Sequence, residues 1–230
     1  MPGLPLVYTS RSDCAPDYFE RKTKWYAERH GPDLIRAGFY SAQSYHSEVG
    51  QPFVCNVYEI PDTEVFVSQG YKDSREKDRQ RPEVLSKMSN LSNSIYEQVL
   101  VGLPSGDGVG VGYPAAAITG PCLTTLRLDV DEAEEKAFVD WYAERELRRL
   151  RGVPGFIAVR LCRQTGRHPT LVSHDPQWMV LIEWEVLDAG RRDGSGDEVV
   201  RRHEAAFPRG LSRLAYSLLT RVFRLARDRR

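Results

Sequence analysis

WYAERHGPDL at residues 25–34 and WYAERELRRL at residues 141–150 open with the same five residues. A pentapeptide containing both Trp and Tyr rarely recurs by chance in a chain of 230 residues, so the flanks are the place to look for an internal repeat. Gly38-Phe39 follows Trp25 at nearly the distance at which Gly155-Phe156 follows Trp141. Tyr58–Asp62 matches Trp184–Asp188, and Ile95–Val99 matches Leu218–Val222 more faintly. Four anchors in one order divide the chain into two copies, 1–103 and 122–230, joined by a Gly/Pro-rich linker over 104–121.

Each copy is large enough for a core but small enough to gain from packing on a partner, and the natural partner is the other copy. With 32 basic and 32 acidic residues the chain is neutral, so no overall field draws it to nucleic acid or to a membrane. Residues 201–230 hold nine Arg against Glu204 and Asp228, a local excess read here as a solvated helix face and tail. Cys14, Cys55, Cys122 and Cys162 stand apart, with no C-x-x-C pair and no basic leader ahead of them. The expectation is a soluble cytoplasmic protein with reduced thiols, no membrane span and no nucleic-acid partner.

In copy one a strand at 6–9 precedes a helix whose stripe carries Tyr18, Phe19, Trp25 and Tyr26. Gly31-Pro32 is expected to end that helix. Strands follow at 40–47 and 53–60 with Gly50 in the turn, then a charged helical region over 64–91 and a closing strand at 94–101. Copy two repeats the order: strand 123–128, helix 132–150, breaker 152–155, strands 156–162 and 178–186, helix near 197–213, strand 216–224. The linker's GDGVGVG at 106–112 lacks the G-x-G-x-x-G spacing and a following helix, and is no phosphate cradle.

The βαββαβ order, the W-Y-x-x-x-H-x-P-x-L helix end, a Gly-Phe before the second strand and a third strand ending Tyr-Glu together resemble the dimeric α+β barrel superfamily, and within it the EthD-like proteins. The resemblance covers both copies. It implies an α+β fold in which two ferredoxin-like units pack sheet to sheet as one intramolecular barrel. Relatives in that superfamily include cofactor-free oxygenases, polyketide cyclases and decarboxylases, lactone isomerases and haem-degrading enzymes, so the fold leaves function open. Copy two departs from the pattern at Glu146, where the histidine would stand, and in its longer loop Arg163–Gln177.

His30 is the leading candidate for chemistry. Just past a helix, a histidine is held by the negative dipole end and can exchange protons near pH 7. Residue chemistry alone equally allows it to cap the last carbonyls, and the resemblance favours the catalytic role. Tyr45 and His46 are neighbours on a strand, so only one of them can line a cavity. On the next strand Phe53, Cys55 and Val57 share one face and Val54, Asn56 and Tyr58 the other; the second is more polar and is assigned to the cavity, where Asn56 and Tyr58 could hold an oxyanion or phenol. Glu59 and Glu185 then read as surface acids, and Trp25, Trp178 and Trp184 as core or cavity wall. His168 and His174 fall in a polar loop, and HEAAF at 203–207 lacks the second His of a zinc motif.

These residues imply a cofactor-independent, metal-free enzyme acting by proton transfer on a hydrophobic aromatic or polyketide-like molecule. The reaction would be decarboxylation, dehydration, cyclisation or oxygenation. His30, Tyr45 and Tyr58 would carry it, with Trp25, His46, Asn56 and Trp184 around the substrate. A non-catalytic binding or scaffolding protein, haem binding, and a higher oligomer remain open alternatives. Because Glu146 is followed by Leu147-Arg148-Arg149, it reads as a solvent-facing ion-pair residue, and one ligand per chain is expected, nearer copy one.

Overall fold

The computed structural model describes residues 3–80, 83, 86–107, 114 and 116–227. Most of the glycine run, and the last three residues of the chain, lie outside the described residues. The strands are β1 Leu6–Cys14, β2 Ser41–Val49, β3 Val54–Ile60, β4 Met88–Leu103, β5 Gly106–Asp107, β6 Cys122–Val130, β7 Phe156–Arg167, β8 Trp178–Trp184 and β9 Leu211–Ala226. The helices are α1 Phe19–Trp25, α2 Gly31–Arg36, α3 Gln69–Arg79, α4 Glu135–Trp141, α5 Leu147–Arg151, α6 Leu187–Arg192 and α7 Gly196–Ala206. Among the described residues no helix is long and apolar enough to cross a membrane.

Eight strands close into a barrel in the order β1-β3-β2-β9-β6-β8-β7-β4, with β4 returning to β1. The two ferredoxin-like halves are therefore joined edge to edge. Long strands make the joins: β4 pairs β1 through its first part and β7 through its second, and β9 pairs β6 and then β2. Closure leaves neither half with an open edge. The two halves also agree in detail. Thr9, Arg11 and Asp13 on β1 take the places of Thr125, Arg127 and Asp129 on β6, and each strand shifts register just after its arginine.

This register corrects the sequence alignment of the third strand. Leu6 pairs with Ile60 as Cys122 pairs with Trp184, so Asn56, Tyr58 and Glu59 correspond to Val180, Ile182 and Glu183, two residues from the match the sequence suggested.

Gly31-Pro32 does not end the first helix. The chain passes from α1 through a π turn at Tyr26–His30 directly into α2, and the duplicated motif makes the same π turn at Tyr142–Glu146. The wider turn restarts the helical register, which places Pro32 in a first turn where its missing N–H costs little. Gly31 is needed for another reason: a Cβ there would lie 3.0 Å from both the Phe223 ring and the Tyr26 carbonyl. With that atom present, the Phe223 ring would have to give way for the helix to rest this closely on β9.

The lumen of the barrel is filled. Val7, Tyr45, Cys55, Val57, Tyr96, Leu123, Cys162, Met179 and Leu181 pack there around Ile118. Ile118 belongs to the segment between the halves, which plugs one end instead of merely connecting. Glu59 accepts from the Ile118 N–H at 3.1 Å and from Ser41 at 2.7 Å. Glu183 accepts from the N–H groups of Thr119 and Gly120 at 2.7 and 2.8 Å and from the Arg160 guanidinium at 2.7 and 2.9 Å. A carboxylate with this many donors can be buried where an unpaired one cannot. Glu59 is thus an interior residue and not a surface acid, and burial still raises its pKa.

Candidate functional site

With the lumen closed, the cavity that gathers the predicted residues lies outside the sheet of the first half. It holds about 250 Å³ between α1, α2 and α3 on one side and β1 and β3 on the other. Trp25, His30, Asn56 and Tyr58 all line it. The alternation read for β3 is correct but its faces are exchanged: Cys55 and Val57 face the lumen, whereas Tyr58 belongs to the cluster beneath the helices.

Three predicted residues lie elsewhere. Tyr45 is inside the barrel, where its hydroxyl donates to Gln43 at 2.9 Å and the Gly120 carbonyl at 3.0 Å. His46 takes the outer face, 2.9 Å from Glu48 and beside Phe19 and Phe53. Trp184 is in the core of the second half, donating to Thr124 at 3.0 Å.

The π turn sets the geometry of His30. It keeps Trp25 and His30 on one helical wall with rings stacked at 4.7 Å, and brings Nδ1 within 3.0 Å of Asp78 Oδ2 on α3. The two atoms are close enough to share charge but not aligned for a hydrogen bond, and neither has another partner. Tyr26 Oη is likewise buried without a hydrogen bond. A cluster of buried polar atoms with unused bonding capacity is costly unless something occupies it.

Sequence reasoning missed Lys22. It sits one turn before Tyr26 on the stripe that carries the aromatic residues, and that placement was its signal. Its side chain is 0 % exposed, and Nζ lies 3.3 Å from Ser44 Oγ, 3.4 Å from Asn56 Oδ1 and 5.2 Å from the centre of the Tyr26 ring. Among the described residues no carboxylate pairs with it. Burial pushes its pKa down to about 8. Burial drives the Tyr8, Tyr26 and Tyr58 phenols well above their ordinary value and Tyr71 up to about 12, so all four remain protonated donors at neutral pH.

The long loop of the second half reaches over this cavity. Leu171 lines it, and His168 is buried against Tyr8 and Phe66 with Nε2 2.6 Å from the Tyr71 hydroxyl. His168 is thus not a solvated loop residue, and burial lowers its pKa to about 4.

The second half fills the equivalent place with apolar side chains. Phe138 replaces Lys22, and Val180 and Ile182 replace Asn56 and Tyr58, within a continuous apolar core. Glu146, in the place of His30, is buried between Arg149 at 2.7 Å and Arg202 at 3.1 Å, and not turned to solvent as the sequence suggested. Of the arginines near the end of the chain, Arg201 and Arg202 are on α7, whereas Arg213, Arg221 and Arg224 are on β9, where Arg213 pairs with Asp129 and Arg221 donates to the Thr119 carbonyl at 2.7 Å. Among the described residues no three His, Cys, Asp or Glu side chains gather as a metal site.

No protein-family model matches the sequence, and no curated protein matches it. Solved structures do match. A candidate monooxygenase from Lactobacillus acidophilus superposes with a TM-score of 0.60 at 11% identity, covering 97% of this chain and 96% of that one. An anthrone oxidase-like protein gives 0.60 at 15% identity over 96% and 92% of the two chains. A chlorite dismutase candidate gives 0.50 at 12% identity over 94% and 96%. These structures share the fold of this protein, an α+β barrel of two ferredoxin-like halves, built here within one chain. At such identities the likeness is one of fold.

Proposed function

We propose that the protein is an EthD-like enzyme that moves protons on a small phenol or enolisable carbonyl compound bound between the helices and sheet of its first half. The observation that carries this reading is a single cavity holding His30 beside Asp78 and, facing them, a buried lysine without a carboxylate partner. His30 takes a proton from the acidic O–H or C–H of the substrate, and Asp78 stabilises the imidazolium that results. The negative charge left on the substrate oxygen is met by the Lys22 ammonium, with the buried Tyr58 and Tyr26 as hydroxyl donors. Trp25 and the tyrosines supply the flat apolar walls an aromatic ring requires.

At about 250 Å³ the cavity lies just below the roughly 300–1,000 Å³ common for drug-sized ligands, which favours a compact substrate and speaks against a porphyrin. The names of the monooxygenase and anthrone-oxidase structures make oxygenation of an activated phenol the first reaction to try, with decarboxylation and dehydration next. The assay is turnover of a panel of anthrones, naphthols and β-keto acids by the full chain, with oxygen uptake and carbon dioxide release followed in chelator-treated buffer. Turnover lost in His30→Gln and Lys22→Met supports the reading. Turnover that survives both substitutions, or a panel that binds in the cavity without reacting, rejects it, the latter in favour of a binding protein.

A further inference from the structure

The open end of the barrel, opposite the end closed by the 117–120 segment, forms a bowl of about 1060 Å³ that the proposed reaction does not use. Arg11 and Arg127 line its floor. They occupy matching positions on β1 and β6, which stand opposite one another in the barrel, so the two arginines line the bowl from facing walls. Both are more than nine-tenths buried. Arg11 pairs with Asp175, yet its Nη1 has no acceptor. Arg127 donates to the Gln51 carbonyl at 2.6 Å, yet its Nε has no acceptor, and no described carboxylate pairs with it.

The nearby acids do not fill this need. Asp175 is held by Arg11 and by Ser94 at 2.7 Å, and Asp13 accepts from the Phe53 N–H at 3.0 Å and from Asn90 at 2.5 Å. Above the floor the wall is largely apolar, with Pro16, Phe19, Pro52, Phe53 and Ala215. Charged donors left buried without acceptors are expensive, and their cost falls when an anion supplies the missing oxygens.

We propose that this bowl is a second binding site, for an amphipathic monocarboxylate whose head group sits between Arg11 and Arg127 and whose apolar body lies along Phe19, Phe53 and Pro52. The unpaired nitrogens are themselves shielded from solvent, so docking requires the carboxylate to draw the two guanidinium groups toward it. The site is independent of the His30 cavity and of what that cavity does.

Calorimetric titration of the full chain with octanoate, octanol and octylammonium tests it. Octanoate should bind at least tenfold more tightly than octanol, and octylammonium should not bind. Arg127→Gln should weaken octanoate on the order of tenfold or more while leaving octanol unchanged. Ala215→Trp, at the position paired with Arg127 across the β6–β9 ladder, should abolish octanoate binding by filling the bowl while both arginines keep their charge, and it carries the test should Arg127→Gln unfold. Equal affinities for octanoate and octanol, or octanoate binding that survives both substitutions, overturn the proposal.

Discussion

Lys22→Met exchanges a buried amine for an apolar side chain of similar length, and the structure fixes what that should do. The Lys22 pKa is lowered from 10.5 to about 8 by burial. A depression of that size corresponds to roughly 3 kcal/mol, at about 1.4 kcal/mol per unit. Between pH 8 and 10.5 the unfolded chain holds a proton that the folded chain lacks, so wild-type stability rises with pH across that window. Below pH 8 both states are protonated, and the folded protein bears the full cost. Methionine removes it. The change also removes two long hydrogen bonds, to Ser44 and Asn56, and the contact with the Tyr26 ring, together about 1–2 kcal/mol. At pH 7 the variant should therefore be more stable by about 1–2 kcal/mol, a rise in Tm of about 4 °C for a chain of this size. Urea unfolding of both proteins from pH 7 to 10.5 measures it, with the difference between them isolating Lys22. That difference should swing by about 3 kcal/mol toward wild type at the alkaline end. A difference that stays flat with pH would refute a buried ammonium at this position. The same variant should lose turnover, since a residue kept at a cost to stability is expected to serve the site.

His30→Ala should lower turnover on the order of a hundredfold or more with the fold intact, read by steady-state kinetics beside circular dichroism. Glu146→Ala should cost about 2–3 kcal/mol in urea unfolding, at the low end for a broken buried pair because Arg149 and Arg202 keep Asp193. Its turnover per folded molecule should match wild type. The His203 pKa is lowered by burial to about 4, so as pH falls from 6.5 to 4 the unfolded chain gains a proton that the folded chain refuses, and roughly 3 kcal/mol of stability is lost. His203→Gln should flatten that acid limb; an unchanged limb assigns it to other groups. Residues 1–103 expressed alone should dimerise or aggregate, because β2 and β4 lose their ladders with β9 and β7; a well-folded monomer by light scattering counts against the edge-joined barrel.

The repeat, the order of elements and the fold class are legible in the sequence, because these rest on local patterns: a duplicated aromatic pentapeptide, helical stripes, and strands bounded by glycine turns. Of the seven candidate residues, Trp25, His30, Asn56 and Tyr58 line one cavity, since helix stripe and strand alternation are local geometry, whereas Tyr45, His46 and Trp184 lie elsewhere. Which side of the sheet these residues face depends on contacts between distant parts of the chain. In a closed barrel wrapped by helices both faces of a strand are covered, and every residue of β3 and of β8 is buried, so polarity no longer marks inside from outside. Glu59 and Glu183 could be interior only because the 117–120 segment brings N–H donors into the lumen, a contact between distant parts of the chain that no local pattern announces. The π turn escaped for a related reason. Gly31-Pro32 is a stop signal in an isolated helix, but here β9 holds the next turn in place, and the chain continues past it with His30 brought to Asp78.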